Sequence, residues 1–225
     1  MKFRIIYLFD PLCGWCYGAT PALQEVFNSP DTAVEMIPTG LFTGQGVRVI
    51  DGDFAGYAWQ NDQRIAQLTG QTFSEAYKTQ ILGAPGQRFD SGPAALALTA
   101  VHLTQPGEEF RVLKAIQHHR YVLGLDITAL PVLTELLQDL GLHNAATLLQ
   151  DNSEALNNAL QQRYQSARAI MANQNVSGVP TLFLVQQDKL KQIPRGLLFE
   201  SSDAFINHIR STMASQAAFT DNHHA

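Results

Sequence analysis

A strand-like segment runs directly into the motif Cys13-Gly14-Trp15-Cys16, and this junction limits the folds open to the chain. Residues 3–9 are almost all apolar or aromatic, which is typical of a central strand buried on both faces. Pro11 ends that strand, and the apolar positions of Leu12–Asn28 predict a helix that Pro21 kinks. Two cysteines in the first turn of a helix lie close enough to form a disulfide.

The position of each cysteine on this helix predicts its chemical role. Cys13 lies at or near the N-cap, where unpaired backbone N–H groups and the helix dipole favour a thiolate. We therefore expect Cys13 to be exposed and nucleophilic. Cys16 lies one turn further on and should be the buried, resolving thiol. Attack by Cys13 on a disulfide forms a mixed disulfide, which Cys16 then breaks.

Two other readings of the cysteine pair remain open, namely a metal site and an accidental pair of core thiols. A zinc site needs three or four protein ligands. None of the histidines has a zinc-finger spacing to the pair; they are His102, His118, His119, His143, His208, His223 and His224. We therefore expect no metal, and the strand-to-helix junction favours redox chemistry over an accidental pair.

Length and charge narrow the class of protein further. The 225 residues are 45% hydrophobic, enough for one large domain or one domain with an insertion. The net charge is -5 and the basic residues are scattered, so no nucleic-acid partner is expected. The first apolar segment is too short for a membrane span and lacks the cleavage site of a signal peptide. We expect a cytoplasmic protein with no membrane partner, in which a lone Cys-x-x-Cys is catalytic rather than structural.

Strand patterns occur only near the two ends of the chain. The strands predicted after the first are Ala33–Pro38, Thr181–Val185 and Lys191–Leu197, the last confined to an edge by Pro194. Between them lies a glycine-rich loop, Thr39–Gly56, followed by a long series of helices. The predicted helices are Tyr57–Leu68, Phe73–Leu82, Gly92–Leu103, Glu108–Leu123, Ile127–Leu140, Asn144–Leu149 and Ser153–Gln174.

This order predicts an α/β domain interrupted by a large, all-helical insertion. Residues 1–40 and 160–215 form the α/β domain, residues 41–159 the inserted subdomain, and residues 216–225 a flexible tail. Helix-capping side chains support several of the helix starts. The predicted caps are Ser91, either Asp126 or Thr128, and Ser202 with Asp203 for a last helix that runs to about Met213.

A second motif, Val179-Pro180-Thr181, stands just before the strand that starts at residue 181. A proline in this position can hold a cis peptide bond. A cis bond would turn the flanking backbone toward Cys13 and offer N–H and C=O groups to an extended substrate. An ordinary trans proline at a strand start is the alternative.

With these two motifs, the chain resembles the DsbA family, which has a thioredoxin fold with a helical insertion. The resemblance in architecture covers essentially the whole chain, and the close motifs lie at residues 10–18 and 178–183. Within the family it is most similar to the branch without a signal peptide, the FrnE-like or predicted protein-disulfide isomerases. The resemblance implies that Cys13 is the nucleophile, Cys16 the resolving cysteine and Pro180 a cis-proline behind the site.

The chain departs from the family pattern in three places. Tyr7 stands where the family usually has a buried acid, and a phenol with a pKa near ~10 is not an equivalent proton acceptor. Asp10 is the nearest acid and is predicted either to cap the helix or to take the proton. The dipeptide Gly14-Trp15 replaces the Gly-Pro or Pro-His of relatives, so their redox potentials do not transfer. We expect a couple less oxidising than DsbA.

The sequence therefore predicts a thiol–disulfide oxidoreductase that acts on protein or peptide thiols and disulfides. Trp15, Val179, Pro180 and Thr181 are the predicted substrate-binding residues, although Trp15 could instead pack against the helical block. No cofactor is expected, beyond glutathione as a co-substrate, and either a monomer or a homodimer is compatible. The alternatives are a glutathione-dependent transferase or isomerase of the kappa or hydroxychromene-carboxylate isomerase type, and a non-catalytic binding module. The intact pair Cys13 and Cys16 disfavours both.

Overall fold

The central sheet brings the two ends of the chain together. The computed structural model describes residues 3–186, 189–200 and 204–212. Four strands of the described residues form the sheet, namely β1 (Phe3–Phe9), β2 (Thr32–Pro38), β5 (Thr181–Gln186) and β6 (Lys189–Gln192). Their order is β2-β1-β5-β6. β1 pairs parallel with β2 and antiparallel with β5, and β6 is antiparallel at the edge.

The remaining elements are mostly helical, and most of them lie between β2 and β5 in the chain. A short two-stranded sheet pairs β3 (Arg48–Val49) with β4 (Arg88–Phe89), so the insertion predicted to be all-helical also contains two short strands. The helices are α1 (Gly14–Gly18), α2 (Thr20–Asn28), α3 (Gly52–Thr69), α4 (Glu75–Tyr77), α5 (Gly92–Thr104), α6 (Glu109–Tyr121), α7 (Leu130–Asp139), α8 (His143–Asp151) and α9 (Glu154–Asn173). A π-helix, Lys78–Leu82, continues α4, and residues 204–212 form α10.

β1 is the central strand that its apolar sequence predicts. Ile5, Tyr7, Leu8 and Phe9 have no exposed surface. Tyr7 lies opposite Met36 of β2 and Leu182 of β5, so both edges of the strand are paired. The strand therefore ends at a fixed place in the core and holds the segment that follows it.

The first helix differs from the prediction of one kinked helix over Leu12–Asn28. The chain instead forms two helices, with a break at Ala19. Pro21 lies in the first turn of α2, where a missing N–H leaves no helical hydrogen bond unmade. The proline thus starts a new helix rather than kinking an existing one.

Two segments predicted as loop or strand have other structures. The glycine-rich segment contains a 3₁₀ turn (Gly44–Gly46) and β3, and α3 begins within it at Gly52. The carboxylate of Asp51 caps α3 by accepting a hydrogen bond from Phe54 N at 2.8 Å. The strand predicted over Lys191–Leu197 is wrong in its second half, because β6 ends at Gln192 and a 3₁₀ turn, Arg195–Phe199, follows.

The predicted caps have different outcomes. Ser91 is the N-cap residue of α5, as predicted, although its side chain makes no capping hydrogen bond. Ala129, not Asp126 or Thr128, is the N-cap residue of α7; the carboxylate of Asp126 instead accepts a hydrogen bond from Thr128 N at 2.9 Å. The predicted caps Ser202 and Asp203, and the predicted tail 216–225, lie outside the described residues.

A single apolar core runs from the sheet into the helical part. α9 returns the chain to β2 and also packs on α5, so it joins the two regions. The domain boundaries at residues 40 and 160 stay a prediction. Within the described ranges, no helix is long and apolar enough to cross a membrane.

Candidate active site

Cys13 occupies the N-cap position of α1, directly after the central strand. Its backbone is extended (φ -76°, ψ 114°), and its N–H donates to Asp10 O at 3.1 Å. Only 8% of Cys13 is exposed, less than the predicted exposure of the nucleophile. Cys16 has no exposed surface at all. Cys13 is therefore the thiol of the pair that a substrate can reach.

The two thiols are free and close together. Burial raises the pKa of Cys16 well above its ordinary value, and the neighbouring Cys13 raises it further. A buried thiol is costly to ionise, because the interior solvates a thiolate poorly. Cys16 therefore keeps its proton in the dithiol state.

The Val179-Pro180 peptide bond is cis, as the second motif allows. The bond places Val179 beside the nucleophile, and the Cys13 thiol donates to Val179 O at 3.7 Å. Thr181 is only 2% exposed, and its hydroxyl donates to Gly178 O at 2.7 Å. A substrate that reaches this loop would therefore meet its backbone rather than the Thr181 side chain.

Trp15 is half-buried between two other elements. Its ring packs edge-on against Phe199 of the 3₁₀ turn at a centroid distance of 5.0 Å. The guanidinium of Arg64, from α3, lies 5.9 Å from the centre of the same ring. Trp15 thus packs against its neighbours while leaving part of its surface to the solvent beside Cys13.

Tyr7 is fully buried below the cysteine pair. Burial raises the pKa of Tyr7 well above its ordinary value, and the thiols of Cys16 and Cys13 raise it further. Its hydroxyl lies near the Cys16 thiol but makes no hydrogen bond of normal geometry to any described residue. Tyr7 therefore keeps its proton and is not a proton acceptor for Cys16.

Asp10 does not cap α1 but connects several segments around the site. Its carboxylate accepts hydrogen bonds from Leu12 N at 2.9 Å, from Phe42 N at 3.3 Å and from Ser91 Oγ at 2.7 Å. Burial raises the pKa of Asp10 to about 6, against the opposing effect of these donors. Asp10 therefore connects the end of β1 to the loop after β2 and to the start of α5. The hydroxyl of Ser91, predicted as a cap, donates its hydrogen bond to this carboxylate instead.

A second buried acid, Asp62 of α3, lies against the active-site motif and was not predicted. Its Oδ2 accepts a hydrogen bond from Tyr77 OH at 2.9 Å, and Arg120 is near enough to lower its pKa. Burial nevertheless raises the pKa of Asp62 to about 7. No local sequence pattern identified Asp62, because it lies in a polar stretch of helix, residues 60–64.

Arg120 is the largest fully buried side chain of the described residues and lies near Asp62. Its guanidinium lies 5.4–5.9 Å from the ring centres of Tyr77, Phe89 and Tyr121. The aromatic faces stabilise the cation. The described residues contain no group of three or more His, Cys, Asp or Glu that could hold a metal ion.

The site combines a cysteine pair at the start of a helix, a central strand before it and a cis-proline beside it. This combination defines a thiol–disulfide exchange site of the thioredoxin type. The model of the DSBA-like thioredoxin domain matches residues 4–202. The chain therefore belongs to the DSBA-like thioredoxin domain family and is a thiol–disulfide oxidoreductase. The predicted fold class and activity are confirmed.

Solved structures agree with this assignment. The cytosolic disulfide reductase DsbM from Pseudomonas aeruginosa is 30% identical, with a TM-score of 0.85 over 94% of this chain and 98% of that chain. A structure of DsbM with GSH is 29% identical, with a TM-score of 0.83 over 94% and 99% of the two chains.

A 2-hydroxychromene-2-carboxylate isomerase shares the fold at 14% identity, with a TM-score of 0.58 over 97% of this chain and 98% of that chain. At this identity the likeness concerns the fold alone. The search of curated protein sequences found no significant match.

Proposed function

We propose that this protein is a cytosolic disulfide reductase in which Cys13 attacks the substrate, Cys16 resolves the mixed disulfide, and glutathione restores the dithiol. The observation that carries the proposal is the position of Cys13 at the N-cap of α1, 3.7 Å from Val179 O, with the free Cys16 thiol buried beside it. The relative named as a cytosolic disulfide reductase, and its structure with GSH, support the direction and the small thiol partner.

In the first step, the Cys13 thiolate attacks one sulfur of a substrate disulfide. The substrate S–S bond breaks, a Cys13–substrate disulfide forms, and the other half leaves as a thiolate that takes up a proton. Cys16 then loses its proton and attacks Cys13 Sγ. The second half of the substrate leaves, and the Cys13–Cys16 disulfide holds the oxidation that the substrate has lost.

Two molecules of glutathione complete the cycle. The first attacks the Cys13–Cys16 disulfide and forms a glutathione adduct, and the second attacks the glutathione sulfur of that adduct. The products are the dithiol enzyme and glutathione disulfide, so the electrons balance without a bound cofactor.

Substrate binding uses the surfaces on either side of Cys13. On one side lies the backbone of Val179 and Pro180, ahead of the first paired residue of β5, Thr181. On the other side lies the exposed part of the Trp15 ring. An extended protein or peptide segment can bind the backbone on the first side while an apolar side chain contacts Trp15.

The burial of Cys16 favours this function over the glutathione-transferase alternative. In a transferase, glutathione itself supplies the thiolate, and a second protein thiol has no part in the reaction. Here Cys16 has no exposed surface and touches Cys13, a placement that serves disulfide exchange.

Single cysteine variants test the two roles. Incubated with glutathione disulfide, Cys16→Ser should accumulate one glutathione on Cys13, detected by mass spectrometry, because the adduct cannot be resolved. Cys13→Ser should form no adduct and lose reductase activity. Wild-type activity in Cys13→Ser would refute the proposal.

The direction of the reaction is tested by equilibrium in glutathione buffers. The chain has two tryptophans, so Trp59→Phe leaves Trp15, inside the motif, as the only indole reporter. We expect a two-electron transition that Cys13→Ser abolishes, with the protein reduced in buffers as reducing as the cytosol. A protein that stays oxidised in those buffers would be an oxidase instead.

A further inference from the structure

An arginine lies over the cis-proline loop, next to the nucleophile. A Cβ atom built on Gly178 would come within 3.2 Å of Arg195 Nη2, so the guanidinium covers the glycine directly. Gly178 precedes Val179, whose carbonyl accepts the Cys13 thiol. Arg195 is exposed. Its donors therefore face solvent on the Val179 side of the sulfur.

A second arginine lies over the ring of Trp15, two residues after Cys13. The guanidinium of Arg64 covers the Trp15 ring from α3. The other neighbour of that ring, Phe199, ends the same 3₁₀ turn that Arg195 begins. Arg64 thus contacts the active-site motif at Trp15, and Arg195 contacts the cis-proline loop at Gly178.

Neither arginine is neutralised by an acid of the described residues. The ion pairs there involve Arg4, Lys78, His102, Arg111 and Arg163. Arg64 is exposed as well. In a chain with a net charge of -5, two unpaired cations beside the nucleophile create a local positive field.

We infer that Arg195 and Arg64 bind the carboxylates of glutathione disulfide and so make a small anionic disulfide a preferred partner of Cys13. This inference rests on the proposed function and names its recognition residues. A guanidinium binds a carboxylate with two parallel hydrogen bonds. Glutathione has a carboxylate at each end and its sulfur between them, which suits two separate cations that lie near Cys13.

The test compares substrates with and without carboxylates in full-length variants. The variants are Arg195→Gln, Arg64→Gln and the double variant, with Arg168→Gln on the exposed face of α9 as the matched control. The substrates are glutathione disulfide, its tetraethyl ester, and bis(2-hydroxyethyl) disulfide. Dithiothreitol supplies the electrons in every assay, because glutathione would only regenerate glutathione disulfide. Each single variant should lower kcat/KM for glutathione disulfide about fivefold, mainly through KM, because solvent-exposed pairs are weakened by screening.

The two substrates without carboxylates should show no such loss in the variants, and Arg168→Gln should match wild type throughout. Arg195→Lys should restore part of the loss, since it keeps the charge but not the planar fork. An unchanged KM for glutathione disulfide in the double variant, or an equal loss in Arg168→Gln, overturns the inference. The proposed function would instead be overturned if the wild-type protein reduced none of the three substrates and Cys16→Ser formed no glutathione adduct.

Discussion

The carboxylate of Asp62 lies against Gly14, the residue that follows the nucleophile. A Cβ atom on Gly14 would come within 2.6 Å of Asp62 Oδ1 and within 3.1 Å of Ile65 Cδ1. One turn later, a Cβ on Gly18 would come within 2.6 Å of Ile65 Cγ2. Two glycines on one face of α1 therefore allow α3 to pack directly on the active-site helix.

This packing predicts that Gly14→Ala destabilises the protein. The added methyl group has no room, because Tyr77 holds the Asp62 carboxylate in place from the other side. We expect a loss of about 1–3 kcal/mol in the free energy of unfolding, measured by urea denaturation. Gly56→Ala is the matched control, because Gly56 lies inside α3 with nothing near its Cβ position, and should stabilise by about 0.5–1 kcal/mol. Equal effects of the two substitutions would contradict the packing.

Asp62→Asn should change how stability depends on pH. Because burial raises the pKa of Asp62 to about 7, the folded protein binds a proton that the unfolded chain has lost. The stability that this bound proton gives to the folded protein is fully present below about pH 4 and is lost as the pH rises through about 7. The asparagine variant carries no such penalty, so its stability relative to wild type should rise over this range, by on the order of 4 kcal/mol.

Urea unfolding of both proteins between about pH 4 and 8 measures this difference. Asp10 also titrates in this range, with a pKa of about 6, but it is present in both proteins and cancels in the comparison. Parallel stability curves would show that Asp62 is ionised throughout the range.

Two buried tyrosines near the site should respond in opposite ways to loss of the hydroxyl. The Tyr7 hydroxyl makes no hydrogen bond to a described residue, so Tyr7→Phe should be neutral or stabilising by up to about 1 kcal/mol. The Tyr121 hydroxyl donates to Leu12 O at 2.6 Å. Tyr121→Phe leaves that carbonyl unpaired and should cost about 1–2 kcal/mol. Thermal unfolding of the pair tests this, and a larger loss for Tyr7→Phe would contradict it.

Ser91→Ala should destabilise the protein more at neutral than at acid pH. Its hydroxyl donates to the buried Asp10 carboxylate at 2.7 Å, a hydrogen bond that matters most when Asp10 is ionised. Loss of this donor should raise the pKa of Asp10 above about 6 and cost about 1–3 kcal/mol at neutral pH, less in acid. Ser153→Ala, which removes the cap of α9 and has no buried acid as partner, should lose stability equally at both pH values.

Local sequence patterns were sufficient for the motif and most elements around it. The apolar run of residues 3–9, the spacing of Cys13 and Cys16, and the proline before a strand each describe a short stretch of chain. Their physical causes are strand burial, the geometry of one helical turn and the special peptide bond of proline, and all three act over a few residues. The strand and the cysteine pair were accessible from sequence for this reason. The cis bond at Pro180 was one of two local alternatives, and the resemblance to the DsbA family implied it.

The supporting side chains around Cys13 depend on contacts between distant parts of the chain. Asp62 meets Gly14 from α3, Ser91 meets Asp10 from α5, and Arg195 covers Gly178 from a turn predicted as strand. Such contacts leave no local periodicity, and in sequence Ser91 looks like any helix cap and Asp62 like any polar residue of an exposed helix. Burial of these groups, with its effect on their pKa values, exists only after the helices have packed on the sheet, because it arises from the removal of water by neighbours far away in the chain.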